Sequence, residues 1–138
     1  MEEVIYILDL EGGVDPNEPL GSIVLNDNQD NKIVIENTYI DAWLMAIGDF
    51  LLAENNPQRI EVLEEPEVIR ALANGNLLQL SYRGSMISVD LQAFSRQVAI
   101  AMDCLIKELL KYSTQCATTN IVFLEKKLVA IKKKMNLA

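Results

Sequence analysis

Any chemistry in this chain has to be done without histidine, because none of the 138 residues is one. That removes the commonest general base, the commonest zinc ligand and every nucleophile–imidazole pair. Carboxylates, two cysteines and a run of lysines remain. Asp27, Gln29 and Asn31 alternate as oxygen ligands do in a calcium loop. That loop requires glycine at its sixth position and a bidentate glutamate at its twelfth. Lys32 and Thr38 stand there instead, so the stretch reads as a turn. Glu11, Asp15 and Glu18 read as solubilising charge in a long loop. No two acids are set apart by spacing as a general acid and base. Gly12-Gly13, Gly75 and Gly84 make no phosphate-cradling loop, and no serine lies in a nucleophile elbow. Cys104 and Cys116 read as reduced, small apolar side chains. The sequence therefore assigns no catalytic residue, no metal ligand and no cofactor, and the expectation is a protein that is not an enzyme.

Charge is more informative. Residues 1–67 carry 16 acids against 2 bases, a balance of −14, and residues 68–138 carry 4 against 10, a balance of +6, within a net charge of −8. Such asymmetry gives opposed fields unless folding interleaves the halves. The densest acids, Glu61, Glu64, Glu65 and Glu67, form a candidate face for a basic protein partner, since complementary charge speeds and selects encounter. The last segment carries Lys126, Lys127, Lys132, Lys133 and Lys134. Its lysines could meet an anionic membrane, phosphates, or the acidic half of this or another copy. Net acidity, and the lack of arginine or aromatic residues among those lysines, weigh against a specific nucleic-acid site.

The elements that must position these groups follow from periodicity. Val4 to Leu10, Ser22 to Leu25, Lys32 to Glu36, Gln58 to Leu63, Leu77 to Arg83 and Met86 to Val89 read as strands. The Asn- and Asp-rich turn between the second and third makes a hairpin. Val68 to Ala73 fits a short helix or a strand, and the Asn74-Gly75 hairpin signal favours the strand. Thr38 to Asp41 has the form of a capping box opening a helix to about Glu54, with Tyr39, Ile40, Trp43, Ile47, Phe50 and Leu51 on its apolar face. Asp90 suits the N-cap of the longest helix. Leu91, Phe94, Val98, Met102, Leu105, Leu109 and Tyr112 recur along that helix at three- and four-residue steps. On its opposite side Ile100 and Cys104 form a small apolar spot. Ile121, Leu124, Leu128, Ile131 and Met135 then make a narrow helical seam. The spot and the seam together are a candidate assembly surface, within a subunit or in a homodimer. The two halves share a rough plan of hairpin, capped entry and apolar helix, a recurrence that supersecondary preference explains without duplication.

The fold expected is α+β: a mostly antiparallel sheet of about six to seven strands, two long helices on one face and a C-terminal amphipathic helix. Residues 1–117 read as a single domain, and residues 118–138 as a basic helix packed on it or on a partner subunit. Half the chain is hydrophobic, as a folded domain of this size requires. No apolar run nears the ~20 residues of a spanning helix, and the acidic start lacks the character of a secretory signal. A cytoplasmic location is expected. Function reads as a non-enzymatic protein-binding module, in the manner of a small acidic inhibitor or immunity-type protein masking a basic partner. The alternative is a structural or regulatory subunit acting as a homo-oligomer or adaptor, with an enzyme of unknown mechanism third.

Overall fold

Val, Ile and Leu crowd the first third of the chain, and there the backbone is extended. In the computed structural model, which describes residues 2–55, 57–63, 65–113 and 118–137, β1 (Glu3–Leu8), β2 (Leu20–Asn26) and β3 (Lys32–Tyr39) pair antiparallel in that order as sheet A. A second antiparallel sheet, sheet B, holds β4 (Arg59–Ile60), β5 (Ile69–Asn74), β6 (Leu77–Tyr82) and β7 (Ser85–Asp90) in sequential order. The seven strands are thus α+β as expected but divided, where a single sheet was predicted.

The division has a chemical cause. β7 is an edge strand, and unpaired edge N–H groups invite a neighbour. Here the Ser88 amide donates to Asp27 Oδ2 at 3.1 Å and the Asp90 amide to Glu2 Oε1 at 2.8 Å. Side-chain carboxylates from the start of sheet A and its β2–β3 turn occupy the edge that a continuing strand would have used. Asp27 is buried and also accepts from the amides of Gln29, at 2.8 Å, and Asn31, at 3.0 Å. Burial by itself raises its pKa, yet the hydrogen bonds from Gln29, Ser88 and Asn31 outweigh it and hold the carboxyl below its ordinary range.

Both sheets feed a helix without an intervening loop: β3 runs into α1 (Ile40–Leu52), and β7 into α2 (Leu91–Leu110). At the second junction Asp90 caps as expected, accepting from the Ala93 amide at 2.9 Å. The capping box expected at the first is not made. Tyr39 occupies the N-cap position and offers no side-chain bond. The register of β2 against β3 shifts between Gly21 and Ile23, so Ser22 faces both Glu36 and Asn37, and Asn37 sits at φ 51. The extra residue of such a bulge reverses the in–out alternation and turns Thr38 into the core. There its hydroxyl accepts from Trp43 Nε1 at 2.9 Å and donates to the Glu65 carboxylate. Trp43 is fully buried and meets Tyr82 of β6 edge-on, at 6.3 Å between centroids. Gly21, beside this bulge, lies so close to β1 that a Cβ would overlap the Ile7 carbonyl oxygen.

Segment 69–74 is the strand that its hairpin signal predicts, with Gly75 at φ 62 in the two-residue turn. The expected strand Gln58–Leu63 shrinks to Arg59–Ile60, because Glu61 and Leu63 face solvent and the Glu65 amide turns back onto the Val62 carbonyl at 3.1 Å. Helix α3 (Thr119–Lys134) packs on α1 and α2. Asn120 Nδ2 donates to the Pro16 carbonyl at 2.7 Å and Asp41 Oδ2 at 3.2 Å. Lys127 pairs with Asp49, and Lys134 Nζ donates to the Leu51 and Ala53 carbonyls at 2.9 and 3.2 Å. A cation there satisfies the orphan carbonyls at the end of α1. The base-rich C-terminal helix therefore folds along α1 of the acid-rich half, with Lys127 and Lys134 used in that contact.

Candidate interaction site

An antiparallel sheet with one face on the core ordinarily alternates apolar-in and polar-out. Sheet A does not. Its inner face buries Val4, Ile23, Leu25, Ile33 and Ile35. Its outer face carries Ile5, Val24 and Val34 in one unbroken row, because Ile5 is registered with Val24 and Val24 with Val34. Ile7 is 58% exposed, and Leu20 and Tyr39, also paired and exposed, extend the apolar strip past Ser22. Around this strip acids outnumber bases, and the one base on its outer face is the exposed Lys32, two residues from Val34 on β3. Glu3 and Glu36 are exposed on β1 and β3, and Asp9, Glu11 and Asp30 in the adjoining turns. Lys32 is the single base before Arg59. The result is an apolar centre with an acidic rim, which is the composition of a docking surface more than of a solvated face.

The residues singled out on sequence are placed differently. Glu61 and Glu67 are exposed, Glu65 is held inward by Thr38, and Glu64 lies outside the described residues. Glu67 shares an open cleft of about 340 Å³ with Arg70, Arg83 and Tyr82, so this segment is electrostatically mixed and not one acidic face. Leu63, 91% exposed, stands among these acids. Ile100 is 50% exposed and Cys104 is exposed, as free apolar points on the back of α2. Ile121, Leu124, Leu128 and Ile131 are buried inside this chain, and Met135 is half-buried against the core. Within the subunit the seam is already used, and it leaves Ile100 uncovered. Ile100, Arg96, Asp103, Lys132 and Leu137 instead border a cleft of about 300 Å³ between α2 and the end of α3. Cys116 lies outside the described residues.

The outer strip of sheet A has a signal in the sequence. V-I-Y-I-L, S-I-V-L and K-I-V-I are near-continuous apolar runs, the pattern of strands covered on both faces. The surface of α3 carries a second unexpected strip. At 100° per residue, Val122, Lys126, Val129 and Lys133 fall in one line on the side away from the seam, with Phe123 flanking it. Val129 is 67% and Phe123 51% exposed.

Two polar contacts bear on electrostatics. Tyr6 donates to Glu108 Oε1 at 3.0 Å, and burial together with that carboxylate pushes the phenol well above its usual range. Burial likewise raises Asp41, although the Asn120 bond opposes it. Both groups lie where β1 or α1 meets another helix, so they fasten elements and do not line a reactive cleft. Among the described residues no group of three His, Cys, Asp or Glu is placed to hold a metal ion. Nor is any helix among them long and apolar enough to cross a membrane.

The architecture is thus an α+β protein of two antiparallel sheets and three helices. No protein-family model matches the chain, and no curated protein or solved structure is significantly similar to it.

Proposed function

We propose that the chain is a non-enzymatic protein-binding module that takes a basic protein partner on the outer face of sheet A. This is the action of a small acidic inhibitor or immunity-type protein. The observation that supports it is the contiguous row Ile5–Val24–Val34 inside a rim where acids outnumber the single base Lys32. Apolar burial supplies affinity at such a surface, and the rim supplies steering and rejects acidic competitors. A partner with exposed aliphatic residues ringed by Lys or Arg fits it. The loop 61–67 is a secondary element of the reading, because its exposed acids are partly offset by Arg70 and Arg83.

Immobilised protein should retain, from the cell that makes it, a basic protein that salt elutes. Val34→Glu should abolish retention, while reversing the charge of Glu61 and Glu67 should leave most of it. Retention that survives Val34→Glu with Ile7→Asp would refute the reading.

The second reading, a self-associating subunit, rests on Ile100. An apolar side chain half open beside a cleft with Arg96 and Lys132 on its rim supports a contact between copies at the back of α2. Ile100→Glu should lower the mass of any assembly formed this way.

A further inference from the structure

Two exposed apolar strips of the described residues carry opposite excess charge, acidic on sheet A and basic on α3. On sheet A the apolar row is bordered by Glu3 and Glu36 and by one base, Lys32, with Asp9, Glu11 and Asp30 exposed in the loops that join its strands. On α3, Val122 and Val129 alternate with Lys126 and Lys133 in one line, flanked by the half-exposed Phe123 on one side and the exposed Glu125 on the other. The lysines that the chain uses internally are others: Lys127 on Asp49, and Lys134 on the end of α1. Lys126 and Lys133 are exposed and have no carboxylate within ion-pair distance among the described residues. α3 therefore uses one side for folding and keeps a second amphipathic side outward. A helix buried on one side ordinarily presents a polar surface to water on the other.

We propose that the acidic face of sheet A receives the outer strip of α3 from a second copy of this chain. The partner chemistry inferred above, aliphatic residues alternating with lysine, is present on the protein itself. Within one chain α3 is committed to α1 and α2 through its buried seam, so its outer side meets sheet A only between molecules. The interface is heterologous: one copy offers the helix and the other the sheet, which leaves a free helix on one end and a free sheet on the other. Association is weakened by salt, since part of it is attraction between exposed lysines and acids. It also competes with the basic partner for the same face, so self-association holds the docking surface covered until that partner displaces the helix. This rests on the reading of sheet A as a docking face, but it is tested without the partner.

Light scattering on the purified chain should show a mass above the monomer that grows with concentration and falls with added salt. One variant, Ile7→Asp with Val34→Glu, breaks the sheet face. Another, Lys126→Glu with Lys133→Glu, breaks the helix strip. All four positions are exposed, and circular dichroism checks that the fold is kept. Each variant alone should be a monomer. Their equimolar mixture should double in mass and stop there, because the two surfaces left over are the two broken ones. A wild-type monomer at every concentration overturns self-association and leaves the partner reading standing. Assembly that persists in both variants, or a mixture that stays monomeric while wild type assembles, overturns the head-to-tail geometry. Loss of self-association in the sheet variant with unchanged retention of the basic partner keeps this inference and removes the partner from the same face.

Discussion

Sheets A and B follow one plan, in which a hairpin's second strand runs straight into a helix, yet they differ in how that helix starts and in what the outer face shows. At β7–α2 an aspartate caps the helix directly. At β3–α1 the residue suited to capping is rotated inward by the Asn37 bulge and satisfies the indole of Trp43 instead. The outer faces differ as much. Sheet B exposes Leu72, Leu77 and Met86, but each is flanked across the strands by a polar partner: Gln79 beside Leu72, Asn74 and Asp90 beside Leu77, Ser81 beside Met86. Sheet A lines its apolar residues up in a row. Scattered apolar exposure is ordinary for a folded surface, whereas contiguous exposure marks contact with something else. Register decides between the two cases, more than the number of exposed residues does.

The largest effect should come from separating the sheets. Asp27→Ala removes a buried carboxylate that holds its own turn and the edge of β7, and charge-assisted bonds of this kind make a loss of about 3 kcal/mol in urea unfolding reasonable. The same group gives a pH test. Its folded pKa lies below the unfolded value, so its contribution is complete above the unfolded pKa of about 4 and is lost as pH falls through the folded pKa. Asp27→Asn should remove that part of the acid-side slope; an unchanged slope would show that Asp27 does not join the sheets through its charge.

Next is the inward turn of β3. Thr38→Val is nearly the same shape but leaves the buried Trp43 N–H without its acceptor and Glu65 without its donor, a cost of about 2 kcal/mol. If the variant is as stable as wild type, the bulge is not held by this network.

These predictions involve what the sequence concealed. Elements were readable wherever local pattern sufficed: the hairpin at Asn74-Gly75, the Asp90 cap, the apolar faces of α1 and α2. The inward turn of Thr38 is not legible, because a one-residue bulge, seeded by an asparagine with positive φ, inverts alternation and leaves no periodic trace. The division into two sheets is not legible either, because strand pairing depends on where β7's edge amides find acceptors, and the acceptors are 61 and 88 residues away in sequence. The assembly seam at Ile121–Ile131 has the same period whether it packs inside a chain or between chains, so periodicity could not say which. For the proposed docking face, acid density singles out Glu61–Glu67, while the apolar runs of β1 to β3 specify strands and carry no local mark of what covers their second side.

A smaller effect separates the two helix starts. Asp90→Ala removes a cap bond to Ala93, and about 1 kcal/mol is expected. Tyr39→Ala, at the equivalent position of α1, removes no capping bond and should cost less. Equal losses would mean that the junctions are held by packing and not by capping.

The smallest effect on stability is also the one that bears most on function. Val34→Thr in sheet A and Met86→Thr in sheet B each replace an exposed apolar residue on a solvent face by a polar one of good strand propensity. Surface changes of this kind shift stability by no more than about 0.5 kcal/mol, so urea midpoints should hardly distinguish them. Association should. Val34 lies at the end of a contiguous row and its loss opens a polar gap in the surface that a partner must desolvate, whereas Met86 has Ser81 beside it and contributes to no such row. Weakened retention of the salt-eluted partner by Val34→Thr alone would locate function in register; equal weakening by both would mean that total apolar exposure, and not its arrangement on sheet A, draws partners to this protein.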